Sequence, residues 1–154
     1  MCFICDGHSV DELDRVNDLA ITVHGWMLCQ VAADVRPGWA YTVGLHESFG
    51  HPELLCIDLG SDPELQRFVV DRLAGMVADS GSIDRTELAW AGIELVPVHP
   101  SHFTQGLAAF WSRRYERLPA EGEFLQIVPD ASWLDDGEEV GHRLRLDAPA
   151  PVSS

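Results

Sequence analysis

Two groups of residues in this chain have types and spacings that could do chemistry. The first surrounds two short apolar runs, Trp39-Ala-Tyr-Thr-Val-Gly-Leu45 and Glu53-Leu-Leu-Cys-Ile-Asp-Leu59. They are joined by a tip, Glu47-Ser-Phe-Gly-His-Pro52, that is rich in turn formers and ionisable side chains. A hairpin centred on the middle of that tip places His46 opposite Glu53, with His51 beside them in the connection. Two neutral imidazoles and a carboxylate are the ligand set of non-haem iron(II) facial sites and of some zinc hydrolases. Without a metal, the carboxylate raises the histidine pKa and makes a general acid–base pair near neutral pH. His46, His51 and Glu53 are therefore expected as the catalytic group. The plainer alternative is that His51-Pro52 shapes the turn and that Glu53 forms a solvated pair worth little. A one-residue slip of the strands would also undo the pairing.

The second group is Cys2-x-x-Cys5 followed by His8. Its spacing brings two sulfurs within reach of one metal ion or of each other. One such pair is half of a tetrahedral zinc site, so the other ligands would come from His8, Asp6 or a distant histidine. A redox C-x-x-C usually opens a helix, whereas here the helix starts later, at Ser9. If Met1 is removed, Cys2 would also be an N-terminal nucleophile with its own amine as base. The non-chemical alternative is two incidental thiols on a segment packed by Phe3 and Ile4. Cys29 and Cys56 lie in apolar runs and read as small core residues.

The chain has 154 residues and a net charge of −15, from ten basic and twenty-five acidic side chains. That is one domain's worth of chain, and its charge argues against nucleic-acid binding. Arg113-Arg114 with Arg117 is the one tight basic cluster. No run approaches the roughly 20 apolar residues of a membrane span, and the N-terminus lacks the basic and apolar regions of a signal peptide. A cytoplasmic location is expected. There is no G-x-G-x-x-G, P-loop, G-x-S-x-G or H-E-x-x-H.

The elements that would position these groups can be read from patterning. Ser9-Val-Asp-Glu12 is a capping box that opens a helix closed by Gly25. A buried strand spans Trp26 to about Val31, Arg36-Pro37-Gly38 is a turn, and the hairpin follows. Ser61-Asp-Pro-Glu64 caps the clearest helix, with Leu65, Phe68, Val69, Leu73, Met76 and Val77 on one face and Gly81 past its end. Strands are expected near Glu87–Trp90, over Gly92–Val98 and over Glu123–Val128. A third helix is expected over His102–Tyr115, weakened by Gly106, and a short edge strand at Arg143–Leu146. This order suits a single α+β domain, 1–147, with a mainly antiparallel sheet and about three packed helices. The tail, 148–154, is expected to be disordered. On the first hairpin strand Trp39, Tyr41, Val43 and Leu45 form a core-like face. Ala40, Thr42, Gly44 and His46 form a small, polar one with room above it for a ligand or another chain.

The blocks Met1-Cys-x-x-Cys5, Gly25-Trp26, Trp39–Leu45, Gly50-His-Pro-Glu-Leu54 and Leu125-Gln-Ile-Val-Pro-Asp130 together resemble the bacterial family catalogued as domain of unknown function 4262. The likeness runs from Cys2 to about Asp130. After that, Ser132-Trp-Leu and an acidic run stand where the family carries a stretch rich in glycine, tryptophan and proline. The resemblance implies a small soluble cytoplasmic protein and no particular activity. It also implies that Cys2, Cys5, Tyr41, Thr42, Gly44, Pro52, Glu53, Gln126 and Asp130 belong to a shared pattern. The resulting expectation is a protein that binds a divalent metal (zinc or iron) or a small ligand at the hairpin mouth and acts as a metal-dependent or tailoring enzyme. Its catalytic group would be His46, His51 and Glu53. Tyr41, Thr42, Gly44, Gln126 and Asp130 would contact ligand, and Cys2, Cys5 and His8 would hold metal. A small-molecule or peptide substrate and a homo-oligomer fit this reading, whereas nucleic acid and membrane do not. Two alternatives stay open: an acidic, non-catalytic partner-binding protein of immunity or regulatory type, and a flavin-binding split barrel.

Overall fold

Ser9 starts the first helix as patterning predicts, its hydroxyl accepting a hydrogen bond from the Glu12 N–H at 3.1 Å. In the computed structural model, which describes residues 9–31, 38–57, 63–130, 146, 147 and 149, this helix is α1 (Val10–His24). It is followed by β1 (Met27–Val31), β2 (Trp39–Val43), α2 (Leu45–Phe49), β3 (Glu53–Ile57) and α3 (Pro63–Ser80). The second half holds α4 (Arg85–Trp90), β4 (Ile93–Pro97), a 3-10 helix (Pro100–Gln105), α5 (Ala109–Tyr115) and β5 (Phe124–Pro129).

The five strands form one sheet in the order β1-β2-β3-β5-β4. Three neighbouring pairs are antiparallel, but β3 and β5 run parallel, so this single α+β domain has a mixed sheet. The parallel pair requires a long crossover, and α3, α4, β4 and α5 all lie within it. The central strands β2, β3 and β5 are buried along their whole length, as expected where helices cover both faces. On one face Val69, Val70, Leu73, Ala74 and Val77 of α3 pack with Ala40, Leu54, Cys56, Leu125 and Ile127. On the other, Ile21 of α1, Phe103, Leu107 and the α5 residues Phe110 and Trp111 pack with Trp39, Tyr41, Leu55 and Phe124. Each large side chain buried here contributes about 1.5–3 kcal/mol, which makes the sheet a firm base for whatever its ends carry.

Four expectations change. Residues Glu87–Trp90 are helical, because the Asp84 carboxylate accepts from the N–H groups of Thr86 and Glu87 and so starts α4. The expected third helix is divided at Gly106, which at φ 83° ends the 3-10 turn before α5 begins. With α2 and α4 added, the described residues hold five α-helices where about three were expected. The small face of β2 is not open either, since Ala40 is fully buried against α3. The Arg36-Pro37 turn, the Ser61 cap, most of the 143–146 edge strand and most of the 148–154 tail lie outside the described residues.

Candidate functional site

The connection between β2 and β3 is not a tight turn. The strands pair Trp39 with Ile57, Ala40 with Cys56 and Tyr41 with Leu55, and residues 45–49 between them wind into α2. His46 therefore does not lie across from Glu53. It is exposed on α2 and interacts electrostatically with Glu123. His51 is half-buried, and its Nδ1–H donates to the Pro52 carbonyl at 2.7 Å.

Glu53, the first residue of β3, is fully buried and lies at the junction of three elements. Its Oε1 accepts from the Thr42 hydroxyl at 2.9 Å and from the Leu45 N–H at 3.0 Å. Its Oε2 accepts from the Gly44 N–H at 3.0 Å and from the Trp111 indole N–H at 3.1 Å. A carboxylate offers about four lone-pair positions, and all are occupied. Burial pushes the carboxyl up to about 7, against the opposing effect of those four donors. Gly44 can offer its N–H here because it sits at φ 111°. A Cβ at that position would meet the Gly25 carbonyl oxygen at 2.6 Å. The Thr42 hydroxyl also accepts from the Leu54 N–H at 2.9 Å, which closes the network.

Beside this buried carboxylate lies an open cleft of about 330 Å³, lined by Asp14, Asp18, Glu47, Phe110, Arg113, Arg114 and Tyr115. It forms where α1, α2 and α5 meet. Trp111 links it to Glu53, its ring stacking obliquely on Tyr115 with centroids 4.7 Å apart. The Tyr115 hydroxyl donates to Glu47 Oε1 at 2.7 Å, and Arg114 forks onto both Glu47 oxygens and also reaches Asp18. Arg113 forms a two-bond pair with Asp14 at 2.8 and 2.9 Å. Partial burial raises the Glu47 carboxyl, but the bonds from Tyr115 and Arg114 outweigh it and hold Glu47 below the usual range. Burial and the Glu47 bond both raise Tyr115, so the phenol stays protonated.

The structure thus joins Thr42, Gly44 and Glu53 in one hydrogen-bond network, in which the other expected residues among those described take no part. The buried Tyr41 hydroxyl accepts from the Phe110 N–H at 3.1 Å, and burial pushes its neighbour Cys29 up to about 12. Buried Gln126 accepts from the Leu146 N–H at 2.7 Å and so ties the later chain to β5. Asp130 follows β5 with its carboxylate against the Gly92 backbone, where any Cβ would meet it at 2.6 Å. Cys2, Cys5 and His8 lie outside the described residues. Among the described residues no group of three or more His, Cys, Asp or Glu side chains is placed to hold a metal ion, and no helix is long and apolar enough to cross a membrane.

Sequence reasoning did not assign Trp111, Glu47, Arg114 or Tyr115 to a site. A signal did exist, since Asp14 and Asp18 are four residues apart on α1 and Arg113-Arg114 is the tight basic cluster of an acidic chain.

The architecture defines a single α+β domain whose mixed sheet carries a buried, fully bonded glutamate beneath a charged cleft. A family model described as a domain of unknown function, DUF4262, matches residues 20–132, and the chain belongs to that family. No curated protein and no solved structure matches it.

Proposed function

We propose that the protein binds a small zwitterionic molecule, such as a free amino acid or a peptide end, in the cleft between α1, α2 and α5. The supporting observation is the order of charges across the cleft. Asp18 and Glu47 are 49% and 41% exposed, whereas the Arg114 guanidinium between them is 17% exposed. The other pair is reversed, with Arg113 44% exposed and Asp14 21%. An entering molecule therefore meets carboxylates on one side and a guanidinium on the other. A cationic end fits Asp18 and Glu47, and an anionic end fits Arg113. The volume is within the range of small-molecule sites. Simple anions are disfavoured by three cleft carboxylates and a chain charge of −15.

Binding is better supported than acid–base chemistry at this position. Glu47, held ionised by its donors, is a weak base, and the raised phenol of Tyr115 is a weak acid. A metal-dependent reaction at His46, His51 and Glu53 has less support, because these side chains do not form a group placed to hold a metal ion and Glu53 has no unused lone-pair position.

The test is amide-resolved NMR with three probes: a free amino acid, its amide and its N-acetyl derivative. The free form should shift resonances of Glu47, Arg114 and Tyr115, and both derivatives should bind more weakly. Glu47→Gln and Arg113→Met should each weaken binding. Equal binding of all three probes, or no shift at millimolar concentration, would remove the proposal.

A further inference from the structure

We propose that α1 pairs antiparallel with α1 of a second copy of this chain, through an outward stripe of Val16, Leu19 and Val23, and so forms a two-fold dimer. The pairing goes beyond the cleft reading and does not depend on the cleft's having a ligand.

A helix lying on a sheet normally buries its apolar stripe and turns its polar side to water. In α1 much of this is reversed. Ile21 is its only buried residue. The side that meets α5 is charged, with Asp14 and Asp18 held there by Arg113 and Arg114. On the opposite side Val16, Leu19 and Val23, spaced i, i+3 and i+7, are 53%, 63% and 65% exposed. Phe68, Trp90 and Leu118 are also exposed, but each stands singly on another part of the chain, which is ordinary for a surface. Three apolar side chains on one stripe mark a contact surface.

The stripe suits a copy of itself. Val16 and Val23 take the a positions of a heptad and Leu19 the d position, the seam that a second helix covers. In an antiparallel pair, Val16 of each helix packs against Leu19 of the other, and Val23 reaches Glu12 of the other. The acidic first turn, Asp11 and Glu12, then lies beside His24 in the last turn of the second copy, and the helix dipoles oppose. A parallel pair would bring the two acidic turns together instead. Arg15, at the margin of the stripe, falls near Thr22 of the second copy, so like charges stay apart at the contact although each chain carries −15. Half-buried Ala20 beside the stripe is small enough for a second helix to approach. One helix pair covers less than the roughly 800 Å² per partner of a standard interface, so the dimer is weak and depends on concentration. Asp14 and Asp18 on the other side of α1 line the cleft, so the pairing braces one wall of each cleft.

The experiment is sedimentation velocity from about 5 to 500 µM, a range suited to a weak dimer. The wild-type coefficient should rise with concentration towards that of a dimer. Leu19→Glu should stay monomeric throughout while keeping the wild-type circular dichroism. Trp90→Glu adds the same charge at another exposed apolar residue and should associate as the wild type does. Orientation is read from a mixture of 13C-labelled and unlabelled chains, by an NOE between the Val23 methyl groups and Glu12. These residues are about 16 Å apart along one helix, so only an antiparallel second helix brings them together. A wild-type chain that is monomeric at the highest concentration would overturn the proposal. So would unchanged association of Leu19→Glu, loss of association in Trp90→Glu, or a dimer without the Val23–Glu12 contact.

Discussion

Replacing Glu53 by glutamine removes its charge with little change in shape and tests the account of this residue. The amide oxygen can replace only one carboxylate oxygen. Its best position faces Gly44 and Trp111, because the amide NH2 can then donate to the Thr42 oxygen. The Leu45 N–H is left facing a donor and the Thr42 hydroxyl hydrogen loses its acceptor, and each orphaned buried donor costs about 1–3 kcal/mol. The pH dependence is the sharper test. Glu53 titrates at about 7 in the fold and near 4.5 when exposed, so from pH 4.5 to 7 the folded chain keeps a proton that the unfolded chain has released. Its contribution is complete below 4.5 and is lost as the pH rises through 7, a change of about 3 kcal/mol. Glutamine has no such dependence. All other ionisable groups are common to both proteins and cancel in the difference. Urea unfolding of both proteins should therefore show glutamine more destabilising at pH 5 than at pH 8, by about 2–3 kcal/mol. A penalty that is constant with pH, or larger at pH 8, would refute the claim that burial dominates the electrostatics of Glu53.

Gly44→Ala should destabilise by about 1–3 kcal/mol from its positive φ, and further because the obstructing Gly25 oxygen is backbone; the thermal midpoint measures this. In a Cys2→Ser/Cys5→Ser variant, a thiol reagent such as DTNB at pH 8 should react with Cys29 and Cys56 only after urea is added. One thiol is buried and the other is pushed up to about 12, so rapid reaction in the native state would contradict both. Elemental analysis of protein purified without a histidine tag should give the same metal content for wild type and His51→Ala. Loss of metal in that variant would restore a hairpin metal site, and loss in the cysteine variant would assign the metal to the N-terminal pair.

The parts of the fold legible in the sequence were those set by local chemistry. Ser9, Gly25 and the apolar stripe from Leu65 to Val77 mark helix ends and faces through backbone geometry and 3.6-residue spacing, and the structure agrees with them except at Phe68, which is 61% exposed. The β2–β3 connection was misread because turn formers report where a chain reverses, not how many residues it spends there. Glu47-Ser-Phe-Gly has enough residues for one helical turn, and Glu53 supplies what that turn needs by accepting the N–H groups of Gly44 and Leu45 at its start. The same carboxylate that sequence reasoning placed in a catalytic group with two histidines is thus consumed in holding the backbone. What distinguishes the two cases is Trp111, fifty-eight positions away, whose indole covers Glu53 and completes its hydrogen bonds. No local pattern carries that information, because it depends on the parallel β3–β5 pairing and on α5 closing over that end of the sheet. Where a glutamate stands at the start of a strand beside a Thr-x-Gly step, the presence of a distant indole donor decides whether it acts on a ligand or shapes the place where one binds.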